Sequence, residues 1–155
     1  MPARVRALEA GDAPACDAII AGLRDWFGLE QGVAQCALAV RRQAGVVSLA
    51  DGGSVAGFAT LVRRFPETYE ISWMAVAREL RGRGHGRALV EAAVAHAAAG
   101  GASLLVVKTL SARHPSPEYA QTRAFYRACG FLPAQEFDIW GPENPCLLLV
   151  RPLAG

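Results

Sequence analysis

The chain contains few of the residues that build metal sites and disulfide frameworks. Its four cysteines are widely separated in sequence and form no C-x-x-C pair, so buried or half-buried free thiols are expected. Its three histidines are equally scattered, and we therefore predict no metal site. The residues in question are Cys16, Cys36, Cys129, Cys146, His85, His96 and His114.

Long apolar runs and a large net charge are also missing. No uninterrupted run of about 18 apolar residues occurs, so we expect a globular protein without a membrane span. No apolar segment follows Arg4 and Arg6, which argues against a signal peptide and favours the cytoplasm. A net charge of +2 is too small to indicate nucleic acid binding. A chain of 155 residues is expected to form a single domain, 1–155.

Positive charge is nevertheless concentrated in one short stretch. Four arginines lie between positions 78 and 87, and Glu79 is the only acid among them. The chain has a single lysine, Lys108, and this preference for arginine is typical of a GC-rich bacterial genome. The stretch is therefore a local candidate for anion binding rather than a sign of a basic protein.

The glycine-rich stretch Arg81-Gly82-Arg83-Gly84-His85-Gly86-Arg87 separates a predicted strand from a predicted helix. Residues 69–76 are rich in β-branched and aromatic residues, as strands are, and residues 87–99 are almost all helix formers. The first amides of a helix lack intrahelical partners and carry partial positive charge. Glycines leave such amides open to an anion. We therefore predict a phosphate or pyrophosphate cradle.

The spacing of the glycines excludes the two commonest phosphate-binding motifs. A P-loop requires a lysine after its glycines, which this stretch lacks. A dinucleotide-binding G-x-G-x-x-G motif would need glycine where Arg87 and Leu89 stand. The pattern that fits is R-x-x-G-x-G, formed by Arg81, Gly84 and Gly86.

Hydrophobic periodicity and turn residues predict the element order β-α-α-β-β-β-α-β-α-β-β. The two prolines of His114–Pro117 predict a loop. The strand, helix and strand around the glycine-rich stretch imply a parallel pair, and hence an α/β (α+β) fold with a mixed sheet. The predicted strands are 4–7, 46–50, 55–63, 69–76, 104–109, 131–137 and 147–151. The predicted helices are 13–27, 31–43, 87–99 and 119–129.

Three features together resemble the GNAT superfamily of N-acyltransferases, over nearly the whole chain. The R-x-x-G-x-G pattern resembles the family's acyl-CoA pyrophosphate loop, and the order of elements is that of its mixed central sheet. The segment Phe125-Tyr126-Arg127-Ala128-Cys129-Gly130-Phe131 is similar to the family's F-Y-x-x-x-G-F segment. Residues 107–109, 119–126 and 143–146 also look similar to a group of small bacterial members of unassigned substrate.

The resemblance implies an acetyltransferase that uses acetyl-CoA and no metal. It would move the acetyl group to a primary amine of a small molecule by direct attack in a ternary complex. It also implies that Gln121 and Thr122 stand where many members carry an asparagine that orients the cofactor, a role that the hydroxyl of Thr122 could take. The cofactor-binding residues implied are Met74, Ala75, Val76, Arg81, Gly82, Arg83, Gly84, His85, Gly86, Arg87, Thr122 and Phe125.

Acyl transfer to an amine needs a neutral nucleophile, stabilisation of the oxyanion and a proton for the leaving thiolate. Tyr126 is the candidate acid, because the aromatic residue of this segment often has that role in the family. Glu70 is the candidate base, because several members place a glutamate that acts through water at the start of the fourth strand. An ion pair between Glu70 and a neighbouring arginine is an open alternative, and His114 and water are alternative bases.

The acceptor is much less defined by the sequence. The resemblance places Trp26, Phe27, Trp73 and Tyr119 at the acceptor pocket, where aromatic rings suit a cation or an apolar body, but core positions explain them as well. A protein or peptide N-acetyltransferase would share all these residues. A non-catalytic acyl-CoA sensor would need neither Tyr126 nor a base. No nucleic acid or membrane partner is expected, and a homodimer is left open.

Overall fold

The computed structural model describes residues 3–23 and 30–154. The helices are α1 (Ala13–Ala21), α2 (Glu30–Arg42), α3 (His85–Ala99) and α4 (Pro117–Ala128), and short 3-10 helices lie at Ala10–Asp12 and Arg78–Leu80. The strands are β1 (Arg4–Ala7), β2 (Ala44–Leu49), β3 (Val55–Phe65), β4 (Thr68–Val76), β5 (Leu104–Leu110), β6 (Leu132–Phe137) and β7 (Cys146–Pro152). They form a mixed sheet in the order β1-β2-β3-β4-β5-β7-β6. The predicted fold class and element order are confirmed.

Most predicted boundaries agree with the structure within a few residues, with two exceptions. Residues 24–27, the predicted end of the first helix, lie outside the described residues, and α1 is assigned to Ala13–Ala21. The prediction that all of His114–Pro117 is loop is wrong at its end, because Pro117 is the first residue of α4. Proline suits that position, since the first amide of a helix has no intrahelical partner.

The chain forms two compact units. The first comprises Met1–Val62 and Ile71–His96, and the second comprises Arg63–Glu70 and Ala97–Gly155. The expectation of a single domain stays a prediction. Within residues 3–23 and 30–154, no helix has the length and apolar character needed to cross a membrane.

The core of the first unit lies between its helices and strands. β1, β2 and β3 pair antiparallel, and α1 packs against α2. A bidentate ion pair between Arg6 and Asp12, with N···O distances of 2.8 and 2.9 Å, joins β1 to the start of α1. Apolar side chains from these elements fill the space between them, including Cys16, Ile20, Cys36, Val40, Val47 and Phe58.

The second unit is built on an antiparallel ladder. β7 pairs with β5 on one side and with β6 on the other, with Lys108 opposite Leu148 and Leu110 opposite Cys146. Side chains alternate along β5, so Leu105 and Val107 face one side, where they are fully or almost fully buried. Lys108 and Leu110 face the other side and are half-buried. α4 packs on β5 and contributes Tyr126 to the buried residues of this unit.

Candidate functional site

The glycine-rich stretch forms the turn that leads into α3. Gly82 and Gly84 have φ angles of 75° and 88°, in the left-handed region that glycine adopts without strain. The amide of Ala88 donates to the carbonyl of Gly84 at 3.0 Å, which is the first hydrogen bond of the α-helical type. The amides of the first helical residues, His85, Gly86 and Arg87, therefore have no acceptor within the helix.

The outer side of this turn is open. A Cβ atom added at Gly82 or Gly84 would meet no other atom within 4 Å. Both glycines are therefore required by the backbone conformation, and the space that they leave is free to receive a ligand. The turn fits the phosphates of an acyl-CoA, because an anion there would reach the amides without meeting a side chain.

The charges around the turn favour an anion. Arg81, Arg83 and Arg87 are exposed. Partial burial of the guanidinium and the nearby positive charge of Arg78 lower the pKa of Arg81, and the positive potential from Arg78 favours an anion at this place. His85 is buried, and its Nδ1 has no hydrogen-bond partner among the described residues. The three arginines make this turn a cationic site that would stabilise a bound phosphate.

The end of β4 lies in the same unit as the turn. Met74 and Val76 are half-buried and Ala75 is buried. Gly57 on β3 permits the close approach of this strand, because a Cβ atom there would lie 2.8 Å from the carbonyl oxygen of Ala75. The structure therefore places Met74, Ala75 and Val76 at the end of the strand that precedes the glycine-rich turn, with the 3-10 helix Arg78–Leu80 between the two.

Tyr126 lies in the second unit, and its position depends on how α4 ends. Gly130 has a φ angle of 91°, and the amide of Phe131 donates back to the carbonyl of Tyr126 at 3.0 Å. This turn brings the ring of Phe131 edge-on to the ring of Tyr126, with centroids 5.4 Å apart. Gly130 and Phe131 of the F-Y-x-x-x-G-F segment thus position the ring of Tyr126.

The surroundings of Tyr126 keep its hydroxyl protonated. The residue is 6% exposed, and Phe125 packs beside it with a centroid distance of 5.3 Å. Burial raises the pKa of Tyr126 strongly, because a phenolate would be poorly solvated there. A phenol in this environment can donate a proton but does not lose one spontaneously near neutral pH.

The other predicted residues of α4 lie on its half-buried side. Phe125, Thr122 and Tyr119 are all half-buried. The hydroxyl of Thr122 donates to the carbonyl of Glu118 at 3.1 Å, so only its lone pairs are available to a ligand. Burial also raises the pKa of Tyr119. Thr122 can therefore orient a bound molecule only by accepting a hydrogen bond.

Glu70 is buried and held by two cations. It is 4% exposed, and its Oε1 accepts from Arg64 Nε at 2.7 Å while its Oε2 accepts from Lys108 Nζ at 3.0 Å. The sequence left two roles open for Glu70, a catalytic base and an ion-pair partner of a neighbouring arginine. The ion pair with an arginine is present. We call these three residues the Arg64–Glu70–Lys108 cluster.

Lys108 was not singled out by the sequence as a functional residue, although a signal was present. It is the single lysine of the chain and it interrupts the apolar strand LLVVKTL. A charged residue within such a strand needs a partner, which here is a carboxylate 38 positions earlier in the chain. The pairing depends on which strands are neighbours, and local patterns do not specify this.

His114 is held by the loop before α4. Its Nδ1 accepts a hydrogen bond from the amide of Ser116 at 3.2 Å. A neutral imidazole has one acceptor nitrogen, so in this arrangement Nε2 carries the proton. His114 would have to break this contact before Nδ1 could act as a base.

The predicted acceptor aromatics are only partly described. Trp26 and Phe27 lie outside the described residues. Trp73 is half-buried and packs against the core of the first unit. No group of three or more His, Cys, Asp or Glu residues suited to a metal ion occurs in residues 3–23 and 30–154.

Comparison with known families identifies one matching sequence model. The model of the acetyltransferase (GNAT) family matches residues 15–131. This match includes the glycine-rich turn, the Arg64–Glu70–Lys108 cluster and the F-Y-x-x-x-G-F segment. Comparison with curated protein sequences gives no significant match.

Several solved structures share the fold over nearly the whole chain. A protein of Desulfovibrio desulfuricans, described as an acetyltransferase of the GNAT family, is 20% identical with a TM-score of 0.82, covering 97% of this chain and 100% of its own. The IAA acetyltransferase of Bacillus cereus is 26% identical with a TM-score of 0.72, covering 97% and 99%. A phosphinothricin acetyltransferase of Sinorhizobium meliloti, solved with AcCoA, is 23% identical with a TM-score of 0.74, covering 99% and 90%.

Proposed function

Because the chain belongs to the acetyltransferase (GNAT) family and is an acyltransferase, we propose that it transfers an acetyl group from acetyl-CoA to a primary amine of a small molecule. The two substrates would be bound together, and the amine would attack the thioester directly. The observation that carries this proposal is the open, cationic, glycine-rich turn at the start of α3.

The cofactor would be held chiefly through its phosphates and its pantetheine amides. We assign the pyrophosphate to the first-turn amides of α3, which the turn leaves open to an anion, and to the exposed side chains of Arg81, Arg83 and Arg87. Backbone groups of Met74, Ala75 and Val76 would pair with the pantetheine amides and stabilise the oxyanion. Thr122 and Phe125 would contact the cofactor from α4. Acetyl-CoA supplies the activated acetyl group.

Tyr126 would act as the general acid. When the amine forms its bond to the acetyl carbon and the carbon–sulfur bond breaks, the departing thiolate takes the phenol proton. The buried position of Tyr126 supports this role, because a raised pKa keeps the proton on the oxygen until a strong acceptor is present. The phenolate is then reprotonated by solvent or by the released amine proton.

Glu70 would remove the proton from the attacking amine through a water molecule. A carboxylate accepts about four hydrogen bonds, and the described contacts of Glu70 use one on each oxygen. Its ion pairs also fix the orientation of the carboxylate. His114 is less suited to the role, because its acceptor nitrogen is occupied by the amide of Ser116. Water alone is the third choice.

The test of the proposed function is a calorimetric titration with acetyl-CoA, with ATP and NAD as controls. We expect micromolar binding of acetyl-CoA alone, followed by thiol release when a panel of primary amines is added. Acetyl-CoA binding without thiol release from any amine would favour a sensor, and acetylation of peptides alone would favour a protein acetyltransferase. No binding of acetyl-CoA would overturn the proposal.

A further inference from the structure

The Arg64–Glu70–Lys108 cluster carries one more positive charge than negative charge. A single cation is enough to neutralise a buried carboxylate, as Arg6 does for Asp12, which is 7% exposed. Glu70 instead has two cations, one on each oxygen. The second cation is more than the burial of Glu70 requires.

The excess charge of the cluster is accessible from outside, while the carboxylate is not. The side chains of Arg64 and Lys108 are 48% and 32% exposed, compared with 5% for Glu70. Arg64 uses Nε for the ion pair, which leaves the N–H groups of its two terminal nitrogens. Within residues 3–23 and 30–154, neither these groups nor the remaining ammonium protons of Lys108 have another acceptor.

The surface beside these cations is apolar. Lys108, Leu110, Leu148 and Cys146 share one face of the ladder, because residues directly opposite in an antiparallel pair point to the same side. Leu110 and Leu148 are half-buried, and Cys146 is completely buried. Lys108 stands directly opposite Leu148 on this face, so the cluster adjoins the apolar residues.

A ligand that complements this surface has a small anionic group next to an apolar body. We propose that the cluster binds the anionic group of the acceptor, so that the acceptor is an amino acid, or a similar amine bearing a carboxylate, with an apolar side chain. The inference rests on the proposed function, since it names the acceptor of that reaction. The carboxylate would accept hydrogen bonds from Arg64 and Lys108, while Glu70 keeps both cations in place.

The first experiment compares acceptors that differ only in the carboxylate. Tyrosine and tyramine, tryptophan and tryptamine, and leucine and isopentylamine are assayed for thiol release with acetyl-CoA. We expect a kcat/KM at least about 10-fold higher for the amino acids, the factor that corresponds to one charge-assisted hydrogen bond. Equal or faster reaction of the decarboxylated amines would overturn the inference while leaving the proposed function intact.

The second experiment asks whether the cluster causes this preference. Arg64→Gln and Lys108→Gln should each raise KM for the amino acids about 10-fold relative to KM for the amines. Any change in kcat that results from a displaced Glu70 should be the same for both kinds of acceptor. Arg64→Lys and Lys108→Arg keep the charge and should retain most of the preference. Arg113→Gln is the matched control, because Arg113 is 58% exposed and pairs with Glu136 instead. Equal losses for amino acids and amines would show a structural role only.

The third experiment distinguishes an acceptor carboxylate from a cofactor phosphate as the anion at the cluster. It also distinguishes failure of this inference from failure of the proposed function. Affinity for acetyl-CoA should not change in Arg64→Gln, and a loss there would mean that the cluster binds a cofactor phosphate, which would overturn the inference. Leucine and isopentylamine are also titrated into the protein without acetyl-CoA. Binding of leucine that depends on Lys108 would support the anion site even if acetyl-CoA failed to bind. Absence of leucine binding with or without acetyl-CoA would overturn it.

Discussion

Two buried side chains, Tyr126 and Asp12, are stabilised in their protonated and ionised forms respectively. Tyr126 lies between aromatic rings, and burial raises its pKa. Asp12 accepts two hydrogen bonds from Arg6 and one from the amide of Glu9, and the Arg6 contact lowers its pKa. The difference follows from the partners and not from the degree of burial, because the two residues are 6% and 7% exposed.

Replacing Tyr126 with phenylalanine tests its role as the acid. The ring and its contact with Phe131 are retained, so acetyl-CoA affinity should stay within about two-fold while kcat falls roughly 10²- to 10⁴-fold, the usual range for a lost general acid. Steady-state kinetics and calorimetry measure the two effects. Because burial raises the pKa of Tyr126, the wild-type rate should not fall through ionisation of this residue between about pH 7 and 9. An unchanged kcat would mean that another group protonates the thiolate.

Replacing Asp12 with asparagine should weaken the first unit in a pH-dependent way. At pH 7 we expect a loss of about 2–3 kcal/mol in the free energy of unfolding, because charged hydrogen bonds of a buried carboxylate are removed. The folded pKa is lowered, so this stability is present above the unfolded pKa of about 3.9 and is lost as the pH falls through the folded pKa. The difference between the proteins should therefore shrink below about pH 4.

Asp17 provides the matched control for this effect. It also forms a bidentate pair, with Arg41, and its pKa is lowered by that contact, but its side chain is 41% exposed. Asp17→Asn should therefore cost less than about 1 kcal/mol in urea unfolding at pH 7. Similar losses for both variants would contradict the importance of burial.

At the scale of elements, a matched pair of variants separates ligand binding at the turn before α3 from the backbone strain that a substitution in this turn introduces. Gly84 and Gly53 have nearly the same φ angles, 88° and 90°, and a Cβ atom at either meets nothing within 4 Å. Gly84→Ala and Gly53→Ala should each cost about 1–2 kcal/mol, the price of the left-handed conformation. Only Gly84→Ala should also weaken the binding of acetyl-CoA, because its methyl group would lie in the proposed phosphate site.

Thermal unfolding and calorimetry on both variants distinguish these effects. We expect a loss of acetyl-CoA affinity of at least about 10-fold for Gly84→Ala, and more for Gly84→Val, with none for Gly53→Ala. If Gly84→Val bound acetyl-CoA as tightly as the wild type, the phosphates could not lie on the glycine-rich turn.

The elements that the sequence predicts correctly are those with local signals. Gly130 ends α4 because the left-handed conformation favours glycine, and that preference is visible in the sequence. The start of α4 was missed because Pro117 is compatible with both a loop and a first helical turn, and only the cap formed by Ser116 distinguishes them. The Arg64–Glu70–Lys108 cluster could not be predicted in full, because it depends on the pairing of distant strands.

For the whole molecule, the cysteines have the most general consequence for stability. All four are free and buried, as the sequence predicts. Burial raises the pKa of Cys16 to about 11 and that of Cys36 to about 12. Burial raises the pKa of the Cys146 thiol as well. Each of these thiols thus resists ionisation in the folded state far more than it does in the unfolded chain, where its pKa is about 8.5.

The protein should therefore lose stability in alkaline solution. A thiol whose pKa is raised in the folded state contributes stability that is fully present below its pKa in the unfolded chain, about 8.5. This stability declines as the pH rises from there to the pKa of the folded state, because only the unfolded chain releases the proton in that range. Each thiol contributes a slope of up to about 1.4 kcal/mol per pH unit in that range. Urea unfolding under reducing conditions from pH 7 to 10.5 measures this slope, and Cys16→Ala and Cys36→Ala should each make it shallower.

Val40→Ala is the control for the packing defect that these variants introduce. Val40 is buried in the same core as the two cysteines, and it cannot ionise. Its variant should lower the free energy of unfolding by a similar amount at every pH, so that its curve runs parallel to the wild type. The curves of the cysteine variants should instead converge on the wild-type curve as the pH rises. In that range the wild type loses the stability that the un-ionised thiol gives to the folded state, and each variant lacks one of these thiols. Parallel curves for all three variants would show that thiol ionisation does not limit the alkaline stability of the fold.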